Sequence, residues 1–201
     1  MTQEFVYHAS KTSGLKRLEP HSSTHKKSWV YATKEIAFSA MFLGDNFDFI
    51  CQTGTQNGKP QIFERFQGAL ELAYKGKKGS IYKLPSNSFT EGKTQWSAEV
   101  VSEKAVPVKE EIIVNDALSF LEKLEDDGSL IVYKYPNLPP NAPKDKEDIV
   151  ERGINWTIDF GENTLDQIQK YHPDVLDRVI TGLKKKEYEP KNDTWKAIFN
   201  R

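Results

Sequence analysis

Short strand-like runs, separated by turn-forming residues, dominate the first 135 residues and limit the folds that this chain can adopt. The runs are rich in β-branched and aromatic residues, and glycine, asparagine or Lys-Gly separates them. The Asn57-Gly58 pair predicts a two-residue hairpin turn. The predicted strands cover residues 3–9, 29–32, 47–52, 60–66, 70–75, 79–85, 96–102, 110–114 and 129–136. Few helices interrupt them, so the pattern predicts an α+β fold with split, mostly antiparallel β-sheets, not a parallel βαβ sheet.

Two helices are predicted within this strand-rich region. Thr33 is predicted to cap the first, which carries an alanine-rich apolar stripe and ends at Gly44. Asn115 or Asp116 is predicted to cap the second. Its apolar face repeats at helical spacing, at Leu118, Leu121 and Leu124.

A proline-rich stretch is the clearest boundary in the chain. Residues 136–148 carry four prolines and a run of charges, which suit neither a helix nor a central strand. We therefore predict three regions: an α+β domain at residues 1–136, a linker at 137–148, and a mainly helical C-terminal segment at 149–201.

Two helices are predicted in the C-terminal segment, at residues 164–171 and 173–186. The second has an apolar stripe, formed by Val175, Leu176, Val179, Ile180 and Leu183. That stripe is expected to pack on the first domain or on a second copy of the chain. A helix that binds a partner is the alternative.

Composition excludes several classes of protein. The formal net charge is −1, so no global field attracts nucleic acid or an anionic membrane. No apolar run reaches the roughly 18 residues that a membrane span needs, and the first ten residues lack the pattern of a secretory signal. Cys51 is the only cysteine, which rules out an intrachain disulfide and a thiolate metal cluster. We expect a soluble cytoplasmic protein without a membrane partner.

His21 and His25 are four residues apart, but they lie in a polar stretch that is more typical of a solvated loop than of a metal site.

Three short segments carry the residues that could form a site. His8 ends the first predicted strand in "YHAS", and Tyr31 lies near the end of the second in "VYATKEIAFSA". Each is also compatible with an ordinary packed strand residue. Glu99 interrupts an apolar strand in "AEVVSE", where it could be solvated on an outer face or could line a cleft. Glu103, in the turn that follows, is the competing acid.

Together the three segments resemble the ADP-ribosyltransferase superfamily, over residues 3–115 only. The resemblance implies that NAD is the substrate, that ADP-ribose passes to an acceptor with release of nicotinamide, and that no metal takes part. The acceptor, a protein or a nucleic acid, is not identified. The implied roles are a ribose contact for His8, a nicotinamide contact for Ala9 with Ser10 nearby, ring stacking for Tyr31, a capping role beside the site for Thr33, and the carboxylate function for Glu99.

Departures from the family pattern leave two alternatives open. Ala9 replaces the glycine that is common after the histidine, and Ser97 stands where many protein-modifying relatives have an acid or a glutamine. One alternative is a non-catalytic interaction module on the same fold. The other is an enzyme that resembles RNA 2′-phosphotransferase, for which Lys16 and Arg17 would grip phosphates.

Overall fold

The computed structural model describes residues 4–22, 27–45, 47–94 and 96–200. The fold is α+β, as the sequence predicts, and the sheets are mostly antiparallel. The chain divides into two compact units, Met1–Leu138 and Pro139–Arg201, and the division falls within the proline-rich stretch. No helix in the described ranges is long and apolar enough to cross a membrane.

The strands all lie in the first unit. They are β1 Phe5–Ser10, β2 Arg17–Leu18, β3 His21–Ser22, β4 Ser28–Thr33, β5 Cys51–Gln56, β6 Lys59–Glu64, β7 Gly79–Pro85, β8 Thr90–Glu91, β9 Glu99–Ser102, β10 Val106–Pro107, β11 Glu110–Val114 and β12 Ile131–Tyr133. Residue 3, where the first strand was predicted to begin, lies outside the described residues.

The helices are distributed over both units. They are α1 Ile36–Met41, α2 Phe47–Ile50, α3 Ala69–Tyr74, α4 Ala117–Asp126, α5 Glu147–Phe160, α6 Asn163–Tyr171, α7 Leu176–Lys185 and α8 Asp193–Phe199. Short 3-10 turns lie at Ser86–Ser88, Lys144–Lys146 and Pro173–Val175.

The largest sheet has the strand order β11-β7-β1-β4-β9-β8, and β3 also pairs with β4. All of its described pairs are antiparallel. A second sheet contains the β5–β6 hairpin, with β12 parallel to β6, and β2 pairs with β10. The predicted hairpin turn is confirmed, because Asn57 and Gly58 adopt φ angles of 50° and 79°.

A hydrophobic core covers one face of the largest sheet. Val6 and Ala32 contribute from neighbouring strands, while Leu18 and Val106 come from the small β2–β10 pair. The alternation of side chains along each strand places their neighbours, such as Tyr7 and Thr33, on the other face. Helix α1 packs against β1 and α4, so this second face carries helices.

Two predicted strands are mostly helical instead, and of the first only residues 51 and 52 lie in a strand, at the start of β5. Residues 47–50 form α2, and residues 69–74 form α3. Leucine and tyrosine at alternate positions suggest a strand at 70–75, but the residues buried in α3 are Ala69, Leu70, Ala73 and Tyr74. That spacing is helical, and Leu72 is exposed. The first unit therefore has four helices in its described residues, not two.

The C-terminal unit contains two helices that the sequence pattern did not predict, α5 and α8. Helix α5 begins at Glu147, inside the stretch predicted as linker. Its buried face includes Gly153 and Thr157, and these small or polar residues obscure the apolar stripe. A Cβ atom added at Gly153 would lie 3.1 Å from Val179 Cγ2, so α7 packs closely on α5. Part of the α7 stripe, Val179, therefore packs on α5 within the same unit.

Gly79 in β7 lies where there is no space for a side chain. A Cβ atom at this position would lie 2.5 Å from the backbone oxygen of Ser10 and 2.6 Å from Leu43 Cδ2. Because a backbone atom cannot move alone, we expect Gly79→Ala to push β1 away and to lower the free energy of unfolding by about 1–3 kcal/mol. Urea denaturation measures this loss. In the control Gly54→Ala, the nearest atom is the side-chain Nε2 of Gln61 at 2.9 Å, so the loss should be smaller. Equal losses would contradict the explanation.

Candidate functional site

A cleft opens where β1 and β4 part. Strand β1 pairs with β7 over six residues, but its described pairing with β4 is limited to Tyr7 and Thr33. Beyond that pair, a side chain links the two strands. The Nδ1 atom of the His8 imidazole donates a hydrogen bond to the backbone carbonyl oxygen of Tyr31 at 2.7 Å. The separation of the two strands leaves room for a cavity of about 200 Å³.

Most of the predicted site residues line this cleft. The described lining is Tyr7, His8, Ala9, His21, Tyr31, Ala32, Thr33, Ser39, Phe42 and Glu99. It includes five of the six predicted site residues and omits Ser10. The Ser10 hydroxyl instead accepts a hydrogen bond from the backbone N–H of Thr12 at 3.1 Å, in the loop that follows β1. Ser10 therefore closes a local turn.

The His8 ring is partly buried, and its surroundings favour the neutral form. Burial lowers its pKa below the ordinary value of 6.5, the bond to the Tyr31 carbonyl opposes that shift, and the nearby His21 adds to it. A carbonyl oxygen only accepts hydrogen bonds, so Nδ1 carries the proton. Nε2 of the neutral ring is then a hydrogen-bond acceptor.

The Tyr31 ring is a fixed wall of the cleft. The side chain is 9% exposed, and its hydroxyl donates to the carbonyl oxygen of Lys27 at 2.9 Å. The Trp29 ring packs against it with a centroid distance of 5.9 Å. These contacts, one with Trp29 of the same strand and one with the residue that precedes the strand, hold the ring in one orientation.

Thr33 lines the cleft, but the prediction that it caps α1 is wrong. Thr33 is the last residue of β4, and Glu35 precedes the first residue of α1. The Thr33 hydroxyl donates to the Glu35 carbonyl oxygen at 3.0 Å, and no side chain accepts a hydrogen bond at the cap. Thr33 therefore stabilises the strand-to-helix turn and does not bind the helix N–H groups.

Glu99 is the acid that reaches the cleft. It begins β9, pairs with Thr33 across the strands, and is 9% exposed. The solvated outer-face alternative is therefore wrong for Glu99. Glu103 is exposed in the turn after β9 and does not belong to the described lining. The sheet thus brings a histidine, a tyrosine and a carboxylate from three strands to one cavity.

The predicted site residues do not include the other five of the described lining, which are Tyr7, His21, Ala32, Ser39 and Phe42. Ser39 in α1 is 1% exposed, and no described residue is a hydrogen-bond partner for its hydroxyl. Phe42, which follows α1, is 44% exposed, and its ring lies 6.1 Å from that of Trp96. A serine inside an otherwise apolar, buried helix was the available signal for Ser39.

The cleft is aromatic and carries one carboxylate. None of the described residues that line it is lysine or arginine. Lys16 and Arg17 are exposed outside the lining, and Arg17 pairs with Glu19 at 2.6 Å. His25, half of the histidine pair considered above for a metal, lies outside the described residues. The arrangement therefore suits a flat, uncharged or cationic group better than a phosphate.

Similarity to known proteins does not indicate what this cleft binds. Comparisons of the chain with models of protein families, with curated proteins and with solved structures found no match in any of the three. The function must accordingly be inferred from the side chains of the cleft and from the distances between them.

Proposed function

We propose that this protein binds NAD in the cleft and transfers ADP-ribose to an acceptor with release of nicotinamide. The observation that carries the proposal is that His8, Tyr31 and Glu99, from three different strands, line one cavity. Each of these residue types has a chemical use in breaking the bond between nicotinamide and its ribose.

The aromatic walls suit the nicotinamide ring. Flat rings pack favourably against the faces or edges of aromatic side chains, and Tyr31 and Phe42 both line the cavity. The carboxamide of nicotinamide offers an N–H₂ group and a carbonyl oxygen. It can pair with the backbone of Ala9 and with the Ser39 hydroxyl. A buried hydroxyl without a described partner is costly, and a bound amide would satisfy it.

His8 suits a ribose hydroxyl. Its Nδ1 atom is held by the Tyr31 carbonyl, which fixes the ring and the tautomer. The Nε2 atom can accept a hydrogen bond from a hydroxyl of the adenosine-side ribose, as the family resemblance implies. The ring therefore acts as a positioning group for the substrate.

The Glu99 carboxylate can stabilise the positive charge that develops on the ribose during the reaction. When the C–N bond breaks, its electron pair moves to the nicotinamide ring nitrogen, and positive charge accumulates on the ribose. A carboxylate that is held in a poorly solvated cleft stabilises that cation more strongly than water does. The acceptor then forms a bond to the same ribose carbon and loses a proton.

The cavity has room for only part of NAD. Sites for drug-sized ligands have volumes of roughly 300–1,000 Å³. The cavity of about 200 Å³ is smaller. It would enclose the nicotinamide and part of its ribose, and the rest of the dinucleotide would lie along the open side of the cleft.

Nicotinamide release and NAD-induced stabilisation test this proposal together. We expect the wild-type protein to release nicotinamide from NAD, and we expect millimolar NAD to raise its melting temperature. His8→Ala should weaken both effects, because the ribose contact is lost. Glu103→Gln, an exposed change outside the cleft, should leave both unchanged. A rise in melting temperature without any nicotinamide release would favour the non-catalytic module. Absence of both effects in the wild-type protein would refute the cofactor site.

A further inference from the structure

His21 lines the cleft, but none of the proposed contacts with NAD involves it. It lies on β3, opposite Trp29 of β4. Its ring centroid is 6.5 Å from that of His8 and 6.1 Å from that of Tyr31, with edge-to-face geometry in both cases. Two imidazoles from different strands therefore border the same cavity.

The two imidazoles differ in their surroundings. His8 is partly buried, and a short hydrogen bond of 2.7 Å fixes its Nδ1 atom. His21 is exposed, and its Nδ1 atom lies 3.4 Å from the carbonyl oxygen of Glu19, at the long end of hydrogen-bond range. His21 is therefore open to solvent while it also lines the cleft. Imidazole is also the side chain best suited to proton transfer near neutral pH.

The geometry points to His21 as the general base that accepts the proton of the incoming nucleophile. The inference rests on the proposed NAD reaction. The nucleophile is an O–H or N–H group, and its heavy atom forms a bond to the ribose carbon that loses nicotinamide. The electron pair of the broken C–N bond goes to the nicotinamide nitrogen, and the proton of the nucleophile goes to Nε2 of His21. His21 later returns this proton to solvent.

The other groups of the cleft do not suit this role. Glu99 stabilises the developing cation only while it is ionised, and accepting a proton would remove that charge. His8 already donates through Nδ1 and would accept a ribose hydroxyl through Nε2. The remaining described lining residues offer hydroxyl groups, apolar side chains and aromatic rings, which are weak bases at neutral pH.

Kinetics of His21 variants test the assignment, with water as the nucleophile and NAD as the substrate. We expect His21→Ala and His21→Gln to lower kcat for nicotinamide release about 100-fold, with little change in KM for NAD. Added imidazole should restore part of the activity of His21→Ala, because it can occupy the vacated space. It should not restore His21→Gln, whose side chain fills that space. Ser22→Ala, on the same strand but outside the described lining, is the matched control and should behave as wild type.

The outcomes separate this inference from the proposed function. If Glu99→Gln loses activity while both His21 variants keep the wild-type kcat, the base assignment is wrong and the NAD reaction stands. A low kcat that imidazole does not restore, in a His21→Ala protein with a wild-type melting temperature, would also overturn the assignment. If the wild-type protein releases no nicotinamide, the proposed function and this inference both fail.

Discussion

Replacing Glu99 by glutamine is expected to lower the rate of nicotinamide release about 100- to 1,000-fold, the loss seen when one preorganised group that stabilises transition-state charge is removed. The amide keeps the size of the side chain in its place at the start of β9, where it is 9% exposed, but removes the negative charge. NAD should still bind, because the proposed contacts of His8, Tyr31 and Ser39 remain. Initial rates of nicotinamide formation and an NAD titration of the same variant measure the two effects separately.

The control for this variant is Glu103→Gln, which removes an exposed carboxylate four residues away. Its rate should equal that of the wild-type protein. Equal rates for Glu99→Gln and the wild-type protein would show that the cleft carboxylate has no part in the reaction. A similar fall in both variants would indicate an effect of net charge, not of position.

Ser39→Ala is expected to make the free protein more stable and NAD binding weaker. The hydroxyl is buried without a described partner, so its removal should raise the free energy of unfolding by about 1 kcal/mol. The same change removes the proposed contact to the carboxamide, and we expect the Kd for NAD to rise about five- to tenfold. Urea denaturation and calorimetric titration measure the two quantities.

The matched control is Ser80→Ala, which also removes a fully buried hydroxyl. That hydroxyl lies 2.9 Å from the Ser13 hydroxyl and 2.7 Å from a Glu111 carboxylate oxygen. Its loss should lower stability by about 1 kcal/mol, because both of these hydrogen bonds disappear. If Ser39→Ala lowers stability as Ser80→Ala does and leaves NAD binding unchanged, Ser39 is a packing residue and not a ligand contact.

Several elements of the fold follow from local patterns. The strands at Gly79–Pro85 and Glu110–Val114 have the predicted bounds, since β-branched and aromatic residues are concentrated between clear breaks. Asp116, one of the two predicted caps, accepts a hydrogen bond from the Ser119 N–H at 2.9 Å at the start of α4. Turn and cap chemistry depends on a few neighbouring residues, so sequence suffices there.

Other elements depend on what they pack against. The residues of α3 alternate in polarity as a strand would, yet burial follows helical spacing because Ala69 and Ala73 face the interior. Helix α5 buries Gly153 where another helix would carry a large apolar residue, since Val179 of α7 occupies that space. The local sequence of α3 or α5 does not indicate which residues pack against that helix.

The candidate site was predictable in part. His8, Tyr31 and Glu99 are each ordinary strand residues when considered singly, and only the family resemblance joined them. The strand order that places β1, β4 and β9 side by side is a long-range property. Local patterns do not indicate Ser39 or His21 as site residues, because α1 has the pattern of a plain apolar helix and β3 lies in a polar stretch that is typical of a solvated loop.

The most direct test of the proposed NAD site is a crystal structure of the Glu99→Gln variant with NAD, since slow turnover should preserve the dinucleotide. We predict that the nicotinamide ring lies against Tyr31 and Phe42. Its carboxamide should be within hydrogen-bond distance of the Ser39 hydroxyl, and a ribose hydroxyl should be within that distance of His8 Nε2. Density for NAD elsewhere on the protein, or an empty cleft at a saturating NAD concentration, would contradict the account.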